Sequence, residues 1–183
     1  MYKEISLQKI LKLNKVFIVA EISANHSGKI TNLKRLIKEC KKIGVDAVKI
    51  QTYEADDLTI NSNKSDFKID KKSPWKKFSN AWNLYNNAKT PDSWLSEVFK
   101  FAKKEKMLLF SSPFSERAVE LLEKQNCPIY KLASPEINHI PLIEKIAKTK
   151  KPIIISTGLA NHNDIDLAIK TFRKLSNKKI ILL

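Results

Sequence analysis

DAVKIQT, residues 46–52, is the stretch that decides the fold of this chain. It is mostly apolar, as is typical of a strand buried on both faces of a parallel sheet. Two polar side chains, Lys49 and Gln51, lie on the same side of such a strand because side chains alternate. Four other runs share this design, an apolar stretch that stops at polar groups: KVFIVAE (15–21), MLLFSS (107–112), PIYKLASPE (128–136) and KPIIIST (151–157).

Amphipathic helical patterns alternate with these apolar runs along the chain. We predict strands at 16–21, 45–51, 107–112, 129–133 and 152–156, with a sixth begun by KKIILL (178–183). We predict helices at 31–43, from Pro91 after a Thr90 cap, from Ser115, from Pro141 and at 163–175. Such an alternation predicts a parallel sheet that is covered by helices.

Two parallel architectures fit this α/β pattern. An open, doubly wound sheet suits a length of 183 residues. A (β/α)8 TIM-type barrel suits the polar groups at every strand end, because barrel enzymes build their sites there. A whole barrel needs about 250 residues. A barrel here would therefore be incomplete, with five βα units and a sixth strand, and its remaining strands would lie beyond Leu183.

The net charge of +15 raises an alternative function, a basic module that binds nucleic acid or another polyanion. The lysines are spread along the chain, however, and no nucleic-acid-binding motif is recognisable. No apolar run approaches the ~18 residues that span a membrane, and the charges within residues 1–15 are unlike a signal peptide. We therefore predict a cytoplasmic protein without nucleic-acid or membrane partners. Salt-dependent retention of short duplexes would favour the polyanion-binding alternative.

Two lysines inside apolar strands are candidates for binding an anion. Burying an ammonium group is costly without a counter-ion, so Lys49 and Lys131 indicate a receptor for a phosphate or carboxylate. The alternative is that each lies near a strand tip and reaches water. Gln51 would add an amide donor beside Lys49. Ser134 and Ser156 would add hydroxyl groups, unless they are ordinary turn or cap residues.

Glu21 and Glu136 are the two carboxylates at these strand ends. A carboxylate close to two lysines can take or give a proton during addition to a carbonyl group, and the alternative is a structural ion pair. His26 either contacts a substrate or stabilises its own loop. No pair of histidines has the spacing of metal ligands. The two cysteines, Cys40 and Cys127, suit a reduced structural role.

Residues 54–89 form a connection too long to be a plain link between a strand and a helix. Long connections in compact domains are usually lids or binding loops. Phe78, Trp82 and Tyr85 have the spacing of one face of a short helix. We predict a lid that these aromatic side chains pack down.

These segments together resemble those of the sialic acid synthases, a family that condenses phosphoenolpyruvate with an N-acetylated sugar. The matching blocks are AEISANHSG, DAVKIQTY, FSSPFS, YKLASPEI, PLI and PIIISTG, in the order and spacing of the family. The stretches QTYEADDLTINSNKSDF and SPWKKFSNAWNLYNNAKTP look most like those of the family members that make pseudaminic acid. The resemblance implies that 1–183 are the N-terminal part of a TIM barrel, which a small antifreeze-like domain follows in the family.

The resemblance also implies a role for each residue singled out above. Four residues would hold the phosphate and carboxylate of phosphoenolpyruvate: Lys49, Lys131, Ser134 and Ser156. Gln51 would contact the acceptor sugar, an N-acetylated 6-deoxy hexose. Glu136 and Glu21 would act as acid and base, with Glu136 the stronger candidate.

Family members use a divalent metal and act as dimers, and the resemblance carries both expectations to this protein. The metal, Mn²⁺ or Mg²⁺, would polarise the aldehyde oxygen of the sugar, and its ligands are expected beyond Leu183. The intact protein is expected to be a homodimer. We expect the intact protein to be a synthase and this chain on its own to be poorly active.

Overall fold

The computed structural model describes residues 16–158 and 160–183. Residues 1–15, on which the expectation about a signal peptide rests, lie outside the described residues. Within the described ranges, no helix is both long and apolar enough to cross a membrane.

Six parallel strands form one sheet, in the order in which they occur along the chain. They are β1 (Val19–Glu21), β2 (Ala47–Thr52), β3 (Leu108–Pro113), β4 (Tyr130–Leu132), β5 (Ile153–Ile155) and β6 (Ile180–Leu182). A doubly wound sheet reverses its strand order at a switch point, whereas a barrel adds each strand beside the previous one. The fold is therefore an incomplete (β/α)8-type barrel, and the open-sheet alternative is wrong.

Helices connect the strands in the alternation that the sequence predicts. They are α1 (Ile30–Lys42), α2 (Ala55–Leu58), α3 (Ala81–Ala88), α4 (Asp92–Lys104), α5 (Glu116–Lys124), α6 (Ile140–Lys148) and α7 (His162–Leu175). The predicted cap of α5 is confirmed, since Ser115 Oγ accepts a hydrogen bond from Ala118 N. The predicted cap of α4 is wrong. Pro91 occupies that position, and the Thr90 hydroxyl lies 3.5 Å from Nε2 of buried His26.

The strands begin and end within a few residues of their predicted bounds. The largest difference is at β1, which begins at Val19 and not at residue 16. There, Ile18 N donates to the Asp46 carboxylate (2.9 Å) before the ladder with β2 starts. Both outer strands of the described sheet have exposed apolar side chains at or beside them: Val16, Ile18, Val19, Leu182 and Leu183.

The packing between sheet and helices determines which side chains face the inside of the curled sheet. One buried cluster joins Val48 and Ile50 of β2 to Leu33 of α1 and Leu95 of α4. Because side chains alternate along a strand, the outward direction of Val48 and Ile50 turns Lys49 inward. Burial of the apolar side chains against the helices thus sets the direction of the polar side chains on the same strand.

The connection 54–89 is closed at its base and ordered within. Its two ends meet, since Lys89 forms an ion pair with Glu54. The Asn80 amide lies 3.2–3.3 Å from three oxygen atoms of residues 61–63. The segment 54–89, which was predicted to form a lid, is therefore an ordered loop.

The aromatic residues of this loop do not share one helical face. Phe78 precedes α3, whose N-cap is Asn80, so the predicted stripe is wrong for Phe78. Trp82 Nε1 donates to Asp56 Oδ1 (2.9 Å). The Tyr85 ring lies edge-on to Tyr53, with 6.2 Å between the ring centroids. These contacts hold α3 against the start of the loop.

Arg117 of α5 joins this loop to the barrel, and its replacement tests how firmly the loop is held. Its guanidinium lies 2.5 Å from Asp92 Oδ2, 3.8 Å from Glu54 Oε1 and 3.9 Å from Asp57 Oδ2. Each pair is half-exposed and weak alone, but three carboxylates share one cation. We expect Arg117→Met to speed cleavage at the lysines of 64–77 by about fivefold, equivalent to about 1 kcal/mol.

Limited digestion with a lysine-specific protease, read by mass spectrometry, measures this effect. Arg173→Met is the matched control, because Arg173 donates to Lys178 O (2.7 Å) far along the chain from this loop. Equal cleavage rates in both variants would show that Arg117 does not hold the loop.

Candidate active site

Lys49 of β2 lies in a group of polar side chains at the carboxyl ends of the strands. It forms an ion pair with Glu21 of β1, its neighbour in the strand register. Its Nζ also lies 3.4 Å from Ser112 Oγ of β3. Glu21 Oε1 in turn accepts hydrogen bonds from Ser23 N (2.9 Å) and Ser23 Oγ (3.0 Å). Three neighbouring strands therefore contribute to this side of the site.

Lys131 of β4 is held in the same way on the other side of the site. Its Nζ donates to Ser156 Oγ (2.6 Å), just after β5, and to Leu132 O (2.7 Å). Lys131 is only 8% exposed, so its head group is held by protein oxygens and does not reach out to water. The lysine and the serine that the sequence predicts for one anion are thus in direct contact.

The two ammonium groups are close enough to affect each other. Burial, together with the charge of Lys131, lowers the pKa of Lys49 to about 8. Burial lowers the pKa of Lys131 to about 8, against the opposing effect of Glu136. A cation whose protonation is depressed by burial and by a neighbouring cation is stabilised by an added anion. The site therefore has the electrostatics of an anion receptor.

Glu136 is a half-buried residue with one buried carboxyl oxygen, Oε2. It lies in the 3₁₀ turn Ser134–Asn138 that follows β4. Among the described residues, none makes a hydrogen bond with its buried Oε2 atom. Burial raises the pKa of Glu136, while the charge of Lys131 partly offsets this effect. A carboxyl group whose protonation is poised beside a cation is suited to proton transfer.

Two of the predicted site residues make no such contacts. Gln51 is half-buried and follows Lys49 on the inward side of β2, with Ser112 as its register neighbour. Ser134 is half-buried at the first position of the 3₁₀ turn. Each follows one of the two lysines along the chain, and their roles in binding stay predictions.

Strand alternation also separates two serines that the sequence places side by side. Ser112 faces Lys49, although the sequence argument does not select it as a site residue. Ser111 faces the helices, where it lies 2.8 Å from Thr52 Oγ1 and donates to Ile50 O (3.1 Å). The inward direction of Lys49 on the neighbouring strand is the signal that could have identified Ser112.

His26 has a structural position in its loop. Its Nδ1 accepts a hydrogen bond from Gly28 N (3.1 Å), and its ring lies edge-on to Trp94 at 5.3 Å. The side chain is fully buried, and burial lowers its pKa. Of the two roles open to His26, the contacts favour stabilisation of the loop.

The residues present do not fit the divalent metal that the family resemblance implies. In the part of the chain that the structure describes, no group of three or more His, Cys, Asp or Glu side chains could hold a metal ion. The Glu21 carboxylate at the strand ends is already paired with Lys49.

This fold is that of the barrel enzymes, which build their sites at the carboxyl ends of the strands. The crystal structure of N-acetylneuraminic acid (sialic acid) synthetase from Leptospira borgpetersenii has a similar fold, with a TM-score of 0.76 and 27% identity. The match covers 92% of this chain and 53% of that one.

The chain belongs to the NeuB family, which its residues 36–183 match. It is 46% identical to pseudaminic acid synthase from Helicobacter pylori over 166 residues, which are 91% of this chain and 48% of that protein. It is 44% identical to pseudaminic acid synthase from Campylobacter jejuni, over 92% of this chain and 49% of that protein. The chain thus spans about half the length of the relatives it matches.

Proposed function

We propose that the protein condenses phosphoenolpyruvate with an N-acetylated 6-deoxy hexose to form a nonulosonic acid of the pseudaminic type. The observation that carries this proposal is the pair of lysines at the strand ends, buried Lys131 and half-buried Lys49, in contact with Ser156 and with Glu21 and Ser112 respectively. Phosphoenolpyruvate has two anionic groups and suits two cations. The similarity to pseudaminic acid synthases supports the choice of acceptor.

In the proposed reaction, some of these side chains bind the substrate and one transfers a proton. Lys49, Lys131 and Ser156 would hold the carboxylate and phosphate, with Ser134 beside them. The C3 atom of phosphoenolpyruvate forms a bond to the aldehyde carbon of the open-chain sugar, and water adds at C2. The C2–O bond then breaks and phosphate leaves. Glu136 would carry the proton that the aldehyde oxygen gains or the water loses.

Glu21 has a different environment from Glu136, and this suggests a different role. It is 39% exposed at its side chain and paired with Lys49. A bound substrate anion would take over part of this pairing, so Glu21 would serve as the counter-ion of Lys49 before substrate binds. Gln51 would donate to the acceptor sugar from the same face of β2.

The proposal also includes the remaining expectations of the family resemblance. These are a homodimer, a cytoplasmic location, the absence of nucleic-acid and membrane partners, and a C-terminal domain beyond residues 1–183. A divalent metal would be bound by residues outside the described ones, so no step above depends on it.

A phosphate-release assay tests the proposed function. It uses phosphoenolpyruvate, Mn²⁺ and a panel of N-acetylated hexoses, with this chain and with a chain extended through the remaining barrel strands. We expect phosphate release from the extended chain with a 6-deoxy acceptor, and little from residues 1–183 alone. A folded extended chain that releases no phosphate with any sugar of the panel would refute the proposal.

The affinity for phosphoenolpyruvate should depend on pH in a defined direction. A lysine with a pKa of about 8 is charged below pH 8 and neutral above it. Binding should therefore be strongest near pH 7 and fall by about tenfold or more by pH 9.5, with the loss of charged hydrogen bonds. Isothermal titration calorimetry between pH 6.5 and 9.5 measures this profile.

Lys49→Arg separates lysine titration from other causes of such a profile. Arginine stays charged throughout this pH range. Relative to its own affinity at pH 7, the arginine variant should lose less than the wild-type chain at pH 9.5. If both profiles fall equally, the titration of Lys49 does not control binding.

A further inference from the structure

Gly158, two residues after Ser156, lies unusually close to Ser134. A β-carbon placed on Gly158 would lie 2.5 Å from Ser134 Cβ and 2.7 Å from Ser134 Oγ. Contacts between carbon atoms are normally 3.5–4.0 Å. Any other amino acid here would therefore push Ser134 away, or be pushed itself, by roughly 1 Å.

The other glycines show that this requirement is specific to Gly158. The chain has three glycines. A β-carbon on Gly28 or Gly44 would meet no atom within 4 Å. All three have a positive φ, of +68° at Gly28, +82° at Gly44 and +43° at Gly158. Backbone conformation can thus explain all three glycines, but only Gly158 is also needed for a close approach.

The contact joins the two segments that carry the anion-binding groups. Ser134 begins the 3₁₀ turn that carries Glu136 and follows the strand of Lys131. Gly158 belongs to the segment after β5 that carries Ser156, whose backbone N donates to Leu132 O (3.1 Å). The distance between Ser134 and Gly158 therefore sets how closely the two serine hydroxyl groups approach each other.

We propose that Gly158 is a positioning residue for the anion site. Its missing side chain lets the segment after β5 approach the 134–138 turn, so that Ser134, Ser156 and Lys131 bind one anionic group together. This inference rests on the proposed function, because it takes phosphoenolpyruvate as the ligand. It assigns the glycine a role in affinity beyond its role in the backbone.

The dissociation constant of phosphoenolpyruvate tests this proposal, with Gly44→Ala as the matched control. Both alanine variants place a side chain at a positive φ, but only Gly158→Ala also meets Ser134. We expect Gly158→Ala to weaken binding by about tenfold, the effect of one lost hydrogen bond to a charged group. Gly44→Ala should bind like the wild-type chain, and circular dichroism checks that each variant is folded.

A second pair of variants separates positioning from a general structural effect. Ser134→Gly removes the two atoms that an alanine at position 158 would approach too closely, and it leaves only Cα of residue 134, at an ordinary contact distance of 3.9 Å. In that background, Gly158→Ala should cause no further loss of affinity, because the close approach no longer exists. A further tenfold loss would overturn the proposal, and this comparison stands even if Gly158→Ala alone is unfolded.

The outcomes also distinguish this inference from the proposed function. If the wild-type chain binds phosphoenolpyruvate and Gly158→Ala binds it equally well, the positioning role is wrong and the proposed function stands. If the wild-type chain binds no phosphoenolpyruvate, the proposed function and the role of Gly158 in it are both overturned.

Discussion

Replacing Lys131 with methionine should weaken phosphoenolpyruvate binding by about 100-fold. Lys131 Nζ is held by Ser156 Oγ and Leu132 O, so it is already placed for an incoming anion. A hydrogen bond to a charged group contributes about 1.5–3 kcal/mol, and each 1.4 kcal/mol is tenfold in affinity. Methionine keeps the apolar stem of the side chain, so the barrel should still fold.

Lys145→Met is the matched control for this prediction. Lys145 lies on the outer helix α6, where it pairs with Glu120 at 2.5 Å. The same chemical change there should leave the dissociation constant of phosphoenolpyruvate within twofold of wild type, or about 0.4 kcal/mol. Calorimetry on this chain measures both variants. Equal affinities in Lys131→Met and Lys145→Met would contradict the assignment of Lys131 to the anion site.

Replacing Glu136 with glutamine should lower kcat by about 10²–10⁴-fold while phosphoenolpyruvate still binds. Glutamine has the same shape as glutamate, but it cannot transfer a proton. The assay is phosphate release by the chain extended through the remaining strands. Glu120→Gln, on the surface, is the control. A kcat unchanged by Glu136→Gln would show that Glu136 does not transfer the proton.

The same variant makes a stability prediction that needs no activity. Because burial raises the pKa of Glu136, this carboxyl group stabilises the fold when protonated and loses that contribution as pH rises through its folded pKa. Glu136→Gln should therefore be more stable than wild type at pH 8, and the gain should shrink towards pH 4, near the ordinary pKa of glutamate. Urea unfolding at both pH values measures this difference.

Glu120→Gln should not show this gain in stability. Its hydrogen bond to Lys145 lowers the pKa of Glu120, so loss of that carboxylate brings no gain in stability at pH 8. If Glu136→Gln is no more stable than wild type at pH 8, the ionised Glu136 carboxylate does not destabilise the fold in solution.

The alternation of strands and helices was predictable because each element is specified by the residues within it. An apolar run bounded by polar residues specifies a buried strand, and amphipathic spacing specifies the helix after it. The bounds were less predictable. Thr90 has the residue type of a cap, yet it lies next to buried His26, and no local pattern reports a partner so far along the chain.

Within the site, the sequence predicted the residue types and the tertiary structure decided their contacts. Lys49 and Lys131 were predictable because a charged residue inside an apolar strand is rare. The partners Ser112 and Ser156, and the separation of Ser111 from the site, depend on which face of each strand packs on the helices. That choice follows from the burial of the whole sheet.

By itself, the sequence determined a parallel α/β fold whose strand ends carry two lysines and two carboxylates. The tertiary structure decided that the strands follow one another as in a barrel, that Glu21 pairs with Lys49 and that Glu136 keeps an unused oxygen. It also decided that Gly158 lies against Ser134. The physical reason is that hydrophobic periodicity acts over neighbouring residues, whereas an ion pair, a buried carboxyl and a close approach each depend on segments far apart in the chain.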